Sequence, residues 1–350
     1  MRVPIGKRRA GLGAGRRFEK RHGFAGALRA WGVWGAISGP LMLLIAAAAP
    51  AQEPVKIRIG NLGFPSHSAM IISVLKDRGF DRKHGIDMEV KVFGAVSAYY
   101  ASTAAGETDG LPGGPLVFQR MRLEGVPLKI VSTLVDMTSM SVITKDPSIR
   151  SFADLKGKTI AADMASSEYS VLSLYAKHKG IALGKDTTGV QAGPPLVRTQ
   201  MAADRVDAGM TWEPTATLTM RDNPGYRIVF NGKQGWRELT GKDGWLLALG
   251  LREDWIARNA AALPRVIAAF DEAARFMLSN ADEADRILQQ AIKLPPGAFK
   301  DMITVPRVVF QVRSTAEAGA RETLWEVVKV AIREGYFKQP VLDQSLIHVP

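Results

Sequence analysis

Hydroxyl, imidazole and carboxylate side chains lie together at two places in the chain, each directly after a short apolar segment. Ser66 and His67 follow the first segment, and Ser166, Ser167 and Glu168 follow the second. Serine is a preferred residue at the start of a helix, where it caps a free backbone N–H group. The remaining N–H groups and the positive end of the helix dipole attract an anionic group. Both places are therefore candidate ligand sites, with the alternative that the serines are only helix caps.

Motifs of known enzymes and metal sites are missing from the sequence. It contains no cysteine, which excludes disulfides, thiol catalysis and cysteine-ligated metals. Its five histidines do not have the spacing of metal ligands, and it has no nucleophile elbow, phosphate-binding loop or zinc-protease motif. The sequence therefore favours a binding protein over an enzyme, and it predicts no catalytic residue, no metal and no cofactor.

Strands and helices must position these side chains, and the apolar pattern predicts that the two kinds of element alternate. Residues 55–59 alternate between apolar and polar as in a strand, and a helix from Ser66 to Phe80 follows. The alternation continues to residue 134 and restarts after Met140, which predicts sheets built from βα units. The last third instead predicts mostly helices, over residues 253–279, 281–292 and 322–334.

Ligands of open α/β sheets bind beyond the carboxyl ends of the strands. This rule selects loop residues from both halves of the pattern and from the point where the pattern restarts. The candidate ligand-binding residues are Phe64, Ser66, His67, Ser97, Pro112, Gly113, Asp136, Ser139, Ser166, Ser167, Glu168, Tyr169, Thr211, Trp212 and Glu213. Some have structural alternatives, since Trp212 could pack in the core, Glu213 could orient the backbone, and Pro112-Gly113 could be a turn.

The first 51 residues have the pattern of a secretory signal peptide. They hold nine Lys or Arg against one acid, and an apolar run then ends at Ala49-Pro50-Ala51. A membrane anchor is the alternative, although Gly39-Pro40 leaves the run short of the about 20 residues that span a bilayer. Because this segment carries +8, its removal would lower the net charge from +12 to +4, and that charge does not indicate nucleic-acid binding. With no cysteine for a lipid anchor, the sequence predicts a soluble periplasmic protein.

A short internal repeat supports two similar lobes. Residues 104–110 resemble residues 202–208, and each copy has a helix end, a tight turn, an aspartate and a buried strand. The aspartates, Asp109 and Asp207, are predicted to be structural. The roughly 300 residues beyond the leader exceed the usual size of a single core, which also predicts two domains.

An ordered set of short motifs carries a resemblance to a known family. The set comprises Gly79-Phe80, His84-Gly85-Ile86, Gly106–Asp109, Leu123–Leu128, Phe152–Lys158 and Trp212-Glu213-Pro214. In this order and spacing the motifs resemble the nitrate/sulfonate/taurine group of ABC-transporter solute-binding proteins. The resemblance covers residues 55–231 and, in general shape, the helical tail.

The resemblance implies an α/β type II periplasmic-binding-protein fold, in which two lobes close over a ligand like a Venus flytrap. One lobe would comprise residues 55–139 and 237–350 and the other residues 140–236, with hinge crossings near Met140 and Trp236. The implied partners are a small-molecule ligand and an ABC permease and ATPase complex in the inner membrane. A monomer is the default expectation, and no nucleic acid is implied.

The resemblance favours a receptor for a small sulfonate/taurine-like or related nitrogen- or sulfur-containing organic solute. A periplasmic ligand sensor and a binder of a thiamine-type amino-pyrimidine precursor are the alternatives. Glu168 bears on this choice, because a carboxylate in the cleft would repel a purely anionic ligand and favour an amine or a ring N–H. Alternatively, Glu168 points to solvent and only complements the helix dipole. Fold relatives that make the thiamine pyrimidine from their own side chains are implied to have a cysteine-rich motif, which this chain lacks.

Overall fold

Two five-stranded sheets organise the part of the chain that the structure describes. The computed structural model describes residues 53–337 and 344–350, so the predicted signal peptide lies outside the described residues. In chain order the strands are β1 (Val55–Leu62), β2 (Ile86–Phe93), β3 (Gly110–Gly113), β4 (Leu128–Asp136), β5 (Met140–Thr144), β6 (Thr159–Ala162), β7 (Thr188–Gln191), β8 (Ala208–Trp212), β9 (Arg227–Asn231) and β10 (Trp245–Arg252). The mixed α/β fold predicted from the sequence is thereby confirmed.

The two sheets have the same topology. The strand order is β2-β1-β3-β10-β4 in the first sheet and β7-β6-β8-β5-β9 in the second. In each sheet the fourth strand, β10 or β5, runs antiparallel to both of its neighbours, and the other pairs are parallel. We call the first sheet with the helices that pack on it the first lobe, and the second sheet with its helices the second lobe.

Helices connect the strands and form most of the last third of the chain. They are α1 (His67–Asp77), α2 (Phe80–Lys83), α3 (Val96–Ala104), α4 (Pro115–Leu123), α5 (Ser167–His178), α6 (Pro194–Ala202), α7 (Thr215–Asp222), α8 (Gly232–Thr240), α9 (Glu253–Arg258), α10 (Leu263–Ser279), α11 (Ala281–Ile292), α12 (Ala298–Thr304) and α13 (Ala318–Arg333). Among these helices, within residues 53–337 and 344–350, none is long and apolar enough to cross a membrane.

The internal repeat has the same structural role in both lobes. Asp109 precedes β3, and its carboxylate accepts the backbone N–H of Arg58 on β1 at 2.8 Å. Asp207 precedes β8, and its carboxylate accepts the backbone N–H of Thr159 on β6 at 2.7 Å. Each aspartate therefore ties the start of the third strand to its parallel neighbour, which is the structural role predicted for both.

The chain passes between the sheets twice. The first passage is a single turn of 3-10 helix at Met137–Ser139, between β4 and β5. Asp136 caps this turn by accepting the Thr138 N–H at 3.0 Å, and it also pairs with Lys233 at 3.1 Å. The second passage lies between β9 and β10 and includes α8. The lobe boundaries given above, with crossings near Met140 and Trp236, stay a prediction.

Several elements were not predicted from the sequence. Strand β7 is short and largely exposed, so its residues do not alternate between apolar and polar. Strand β10 is buried on both faces and has an apolar run without alternation. The predicted helix over residues 253–279 is interrupted at Asn259, and α10 restarts with Pro264 in its first turn. Proline fits there because the first turn lacks partners for its N–H groups, whereas it would break a continuous helix.

Candidate ligand-binding site

The first lobe contributes the N-terminus of α1 to the space between the lobes. Ser66 is the N-cap of α1, and its hydroxyl accepts the N–H of Ala69 at 3.2 Å, as predicted. His67, the first helical residue, is 1 % exposed, and its Nε2 is buried without a hydrogen-bond partner in the described part of the chain. The cap directs the imidazole into the interior, where a ring nitrogen remains available to a bound molecule.

The second lobe contributes the N-terminus of α5. Ser166 is the N-cap, and its hydroxyl accepts the N–H of Tyr169 at 3.0 Å. Ser167 and Glu168 occupy the first turn and are both buried. Glu168 does not point to solvent, because only 4 % of its surface is exposed.

The two helix starts meet across a small cavity. The Oγ of Ser167 lies 2.7 Å from the hydroxyl of Tyr100 on α3, and the Nδ1 of His67 lies 3.8 Å from the Oε1 of Glu168. The free volume is about 30 Å³, which is room for about one water molecule. The residues that line it are Leu62, Ser66, His67, Ser68, Val96, Tyr99, Tyr100, Pro112, Ser166, Ser167, Glu168, Trp212 and Leu247. The lobes are thus in contact, and a larger ligand needs the lining to part.

Burial shifts the pKa values of His67 and Glu168 in the directions that favour their neutral forms. Desolvation lowers the pKa of His67 to about 3, against a smaller opposing effect of the Ser139 backbone. Desolvation also raises the pKa of Glu168 to about 7, and Asp163 acts in the same direction. The contact between His67 and Glu168 is therefore not a salt bridge at neutral pH, since the imidazole is uncharged. No Lys or Arg is among the described residues that line the cavity.

Seven of the fifteen predicted residues line this cavity. They are Ser66, His67, Pro112, Ser166, Ser167, Glu168 and Trp212. In the first lobe, Phe64 is partly buried against the core and Ser97 is exposed on α3. Gly113 lies beneath the rings of Phe118 and Tyr100, where a Cβ atom would come within 2.8 Å of each ring. These three residues are close to the site in sequence but lie outside the lining.

The other predicted residues support the passage between the lobes or face elsewhere. Asp136 caps the first passage, and the Ser139 carbonyl accepts the N–H of Glu213 at 3.0 Å. Thr211 is fully buried within β8. Glu213 accepts the N–H of Thr217 at 3.1 Å, and burial raises its pKa to about 7. Tyr169 lies instead in a surface groove that it shares with Tyr336.

Six lining residues were missed, and Tyr99 and Tyr100 are the main ones. They lie on α3, directly after β2, so the rule of strand ends could have selected them, but it was applied there only to Ser97. The Tyr99 hydroxyl donates to the Pro112 carbonyl, and the Tyr100 hydroxyl accepts the Gly114 N–H at 3.1 Å. Leu247 was missed because its strand, β10, was not predicted.

Sequence comparison finds relatives of this chain at low identity. A Brucella abortus protein whose name describes it as a binding protein is 22% identical over 257 residues, covering 73% of this chain and 77% of that one. A Haemophilus influenzae protein whose name assigns it to thiamine biosynthesis is 27% identical over 143 residues, covering 40% of this chain and 44% of that one.

A solved structure extends the likeness to nearly the whole described chain. The alkanesulfonate-binding protein SsuA from Xanthomonas axonopodis pv. citri, bound to MOPS, superposes with a TM-score of 0.69 at 19% identity, covering 85% of this chain and 99% of that one. The predicted periplasmic-binding-protein fold is confirmed by this superposition. The family model described as NMT1/THI5 like matches residues 65–284, which is more than half of the sequence, and the chain therefore belongs to the NMT1/THI5-like family.

Proposed function

We propose that this protein is an exported solute-binding receptor of an ABC importer, which captures a small organic solute between its lobes. The observation that carries the proposal is the convergence of two capped helix starts, one from each lobe, on one small cavity. Ligand binding between lobes that can part and close is how such receptors work. The likeness to an alkanesulfonate-binding protein supports the same function. Its partners would be a permease and an ATPase in the inner membrane.

The lining favours a ligand that has both hydrogen-bond donors and acceptors. The first turns of α1 and α5 present backbone N–H groups, which suit an oxygen-rich group such as a sulfonate. Glu168 offers a carboxylate, which suits an amine or a ring N–H. Since no Lys or Arg is among the described lining residues, a simple anion would lack a counter-charge. A taurine-like zwitterion meets both requirements better than nitrate does.

A pair of matched compounds tests the ligand class. Taurine and ethanesulfonate share a two-carbon sulfonate, and only taurine carries an amine. We expect residues 52–350 to be stabilised by taurine more than by ethanesulfonate in a thermal unfolding assay. A ligand at 100 times its Kd adds about 2.7 kcal/mol to the free energy of unfolding. Equal shifts for both compounds would remove the amine requirement, and no shift with either would remove this ligand class.

A substitution at Glu168 tests the contact itself. Glu168→Gln keeps the size of the side chain but removes the charge, so we expect the Kd of an amine-bearing ligand to rise about tenfold or more. Glu213→Gln is the matched control, because Glu213 is equally buried with a similarly raised pKa but lies outside the lining. Unchanged affinity in Glu168→Gln would contradict the proposed role of this residue.

An amino-pyrimidine is the second candidate ligand. The lining combines the flat surfaces of Tyr100 and Trp212 with the acceptor Glu168, a combination that suits a planar ring with an exocyclic amine. The relative assigned to thiamine biosynthesis supports the same candidate. Addition of 4-amino-5-hydroxymethyl-2-methylpyrimidine to the thermal assay distinguishes it from taurine. Recovery of the unaltered compound would also separate a receptor from an enzyme.

A further inference from the structure

The lobes are in close contact at a glycine. Gly114 is the N-cap of α4 in the first lobe, and a Cβ atom built on it would lie within 3.0 Å of both the Oγ and the Cβ of Ser167 in the second lobe. Real Cβ atoms essentially never show contacts that short. The missing side chain of Gly114 thus forms a notch, and Ser167 occupies it.

The hydroxyl of Tyr100 connects Gly114 to Ser167 through hydrogen bonds. The Gly114 N–H donates to the Tyr100 hydroxyl at 3.1 Å, and that hydroxyl lies 2.7 Å from the Ser167 Oγ. Tyr100 is itself fixed by edge-on contacts with Tyr99 and Phe118. Ser167 belongs to the first turn of α5, whose next residue is Glu168. Movement of Ser167 out of the notch therefore also moves the acidic side chain that we assign to the ligand.

We infer that Gly114 and Ser167 form a stop that sets how far the cleft closes, and that this stop selects ligands by size. A methyl group at position 114 would collide with the Cβ of Ser167, which side-chain rotation cannot move. The lobes must then remain further apart. A wider cleft loses contacts with a small ligand but accommodates a larger one, so residue 114 determines specificity. The size selection rests on the proposed function, whereas the stop itself does not.

Gly193 provides a matched control for Gly114. Both glycines are N-caps in extended backbone conformation, and each is followed by a proline at the start of its helix, α4 or α6. A Cβ atom on Gly193 would meet only the Asp163 carboxylate at 3.7 Å, an ordinary contact. A Cβ atom on Gly114 would also lie 3.2 Å from the Leu246 carbonyl oxygen of its own lobe. The substitutions Gly114→Ala and Gly193→Ala therefore match in helix cap and backbone conformation, and only Gly114→Ala fills a contact between the lobes.

The experiment measures the distance between the lobes with spin labels. The chain has no cysteine, so Ala98→Cys on α3 and Leu196→Cys on α6 place labels only on these exposed positions of opposite lobes. We expect the shortest distances in the distribution to be lost in Gly114→Ala and kept in Gly193→Ala, both without additive and with 10 mM taurine. Adding Ser167→Gly to Gly114→Ala should restore them, because it removes both colliding atoms. Adding Ser167→Ala should not, because the Cβ atom remains.

Binding of two sulfonates of different length tests the selection by size. We expect Gly114→Ala to lower the preference for taurine over 3-aminopropanesulfonate, which is longer by one methylene group, by about tenfold, which is what one methylene group is commonly worth in a pocket. Identical distance distributions in Gly114→Ala and the parent would overturn the stop, as would the same rescue by Ser167→Ala and Ser167→Gly. If neither sulfonate binds the parent, the proposed ligand class fails, while the distance measurement still decides the stop.

Discussion

The two lobes share a framework and differ where they face each other. Strands β3 and β8 hold the same position in their sheets, and each is preceded by an aspartate that binds the neighbouring strand. Five residues after each aspartate the chain reaches the cleft, at Gly114 in the first lobe and at Trp212 in the second. The framework residues are alike in both lobes, whereas the cleft residues differ: Gly114 forms a notch and Trp212 forms a bulky wall.

The two helix starts show the same division. The caps are equivalent, since Ser66 and Ser166 each accept the backbone N–H three residues ahead. The residues that follow the caps differ, because α1 presents the neutral imidazole of His67 and α5 presents the carboxyl group of Glu168. The shared serines therefore cap both helices, and the residues that follow them give the two helix starts different chemical groups.

The largest effect on stability should come from removal of the Trp212 side chain, which forms the bulky wall. Trp212 is 2 % exposed and belongs to the main hydrophobic cluster. Trp212→Ala should lower the free energy of unfolding by about 3–5 kcal/mol, because it leaves a large cavity. Chemical denaturation measures this loss, and Trp325→Ala, at a partly exposed tryptophan of α13, should cost clearly less. Equal losses of free energy would mean that Trp212 packs no better than the partly exposed Trp325.

The contributions of Glu168 and His67 to the free energy of unfolding should change in opposite directions with pH. The folded pKa of Glu168 is raised to about 7 from its usual 4.5, so its contribution to stability is complete below pH 4.5 and is lost as pH rises toward 7. The folded pKa of His67 is lowered to about 3 from its usual 6.5. Its contribution is complete above pH 6.5 and is lost as pH falls toward 3.

Two substitutions separate these contributions. At pH 8, Glu168→Gln should be more stable than the parent by about 3 kcal/mol, and at pH 4.5 the two should be nearly equal. His67→Gln should show the opposite pH dependence. Its free energy of unfolding should nearly equal that of the parent at pH 8 and exceed it by about 2 kcal/mol at pH 5. Urea denaturation without ligand measures each difference. A pH-independent difference for either variant would show that the side chain is solvated in the folded protein.

The framework could be predicted from the sequence because its signals are local. Helix α11 has the predicted bounds of residues 281–292, since polar residues and prolines mark the ends of its apolar pattern. The caps Ser66 and Ser166 were predicted for the same reason. Strand β10 carries no such signal, because burial on both faces removes the alternation.

The cleft could be predicted only in part, because its contacts join distant segments. The rule of strand ends found Ser66, His67 and Glu168, which each lobe presents without reference to the other. It did not find the contact between Tyr100 and Ser167, which are 67 positions apart in the chain. Nor did it indicate that Gly114 forms a notch, because a glycine before a proline also begins α6, where no such contact exists in the described residues.

The smallest expected effect concerns the shared aspartates themselves. Asp109 accepts the backbone N–H of Arg58 and also two hydrogen bonds from its guanidinium group. Asp207 accepts the Thr159 N–H and has no guanidinium partner among the described residues. Asp109→Ala should therefore lower the free energy of unfolding by about 2 kcal/mol, and Asp207→Ala by about 1 kcal/mol.

The cause of that difference can be isolated with Arg58→Met, which removes the guanidinium group and keeps the backbone N–H. In this background the losses from Asp109→Ala and Asp207→Ala, measured by urea denaturation, should become similar, because each aspartate then holds one backbone N–H at the start of a third strand. If Asp109→Ala still costs twice as much, the lobes differ in the packing around the strand pair and not in the arginine. The repeat would then be alike in sequence and hydrogen bonding but not in energy.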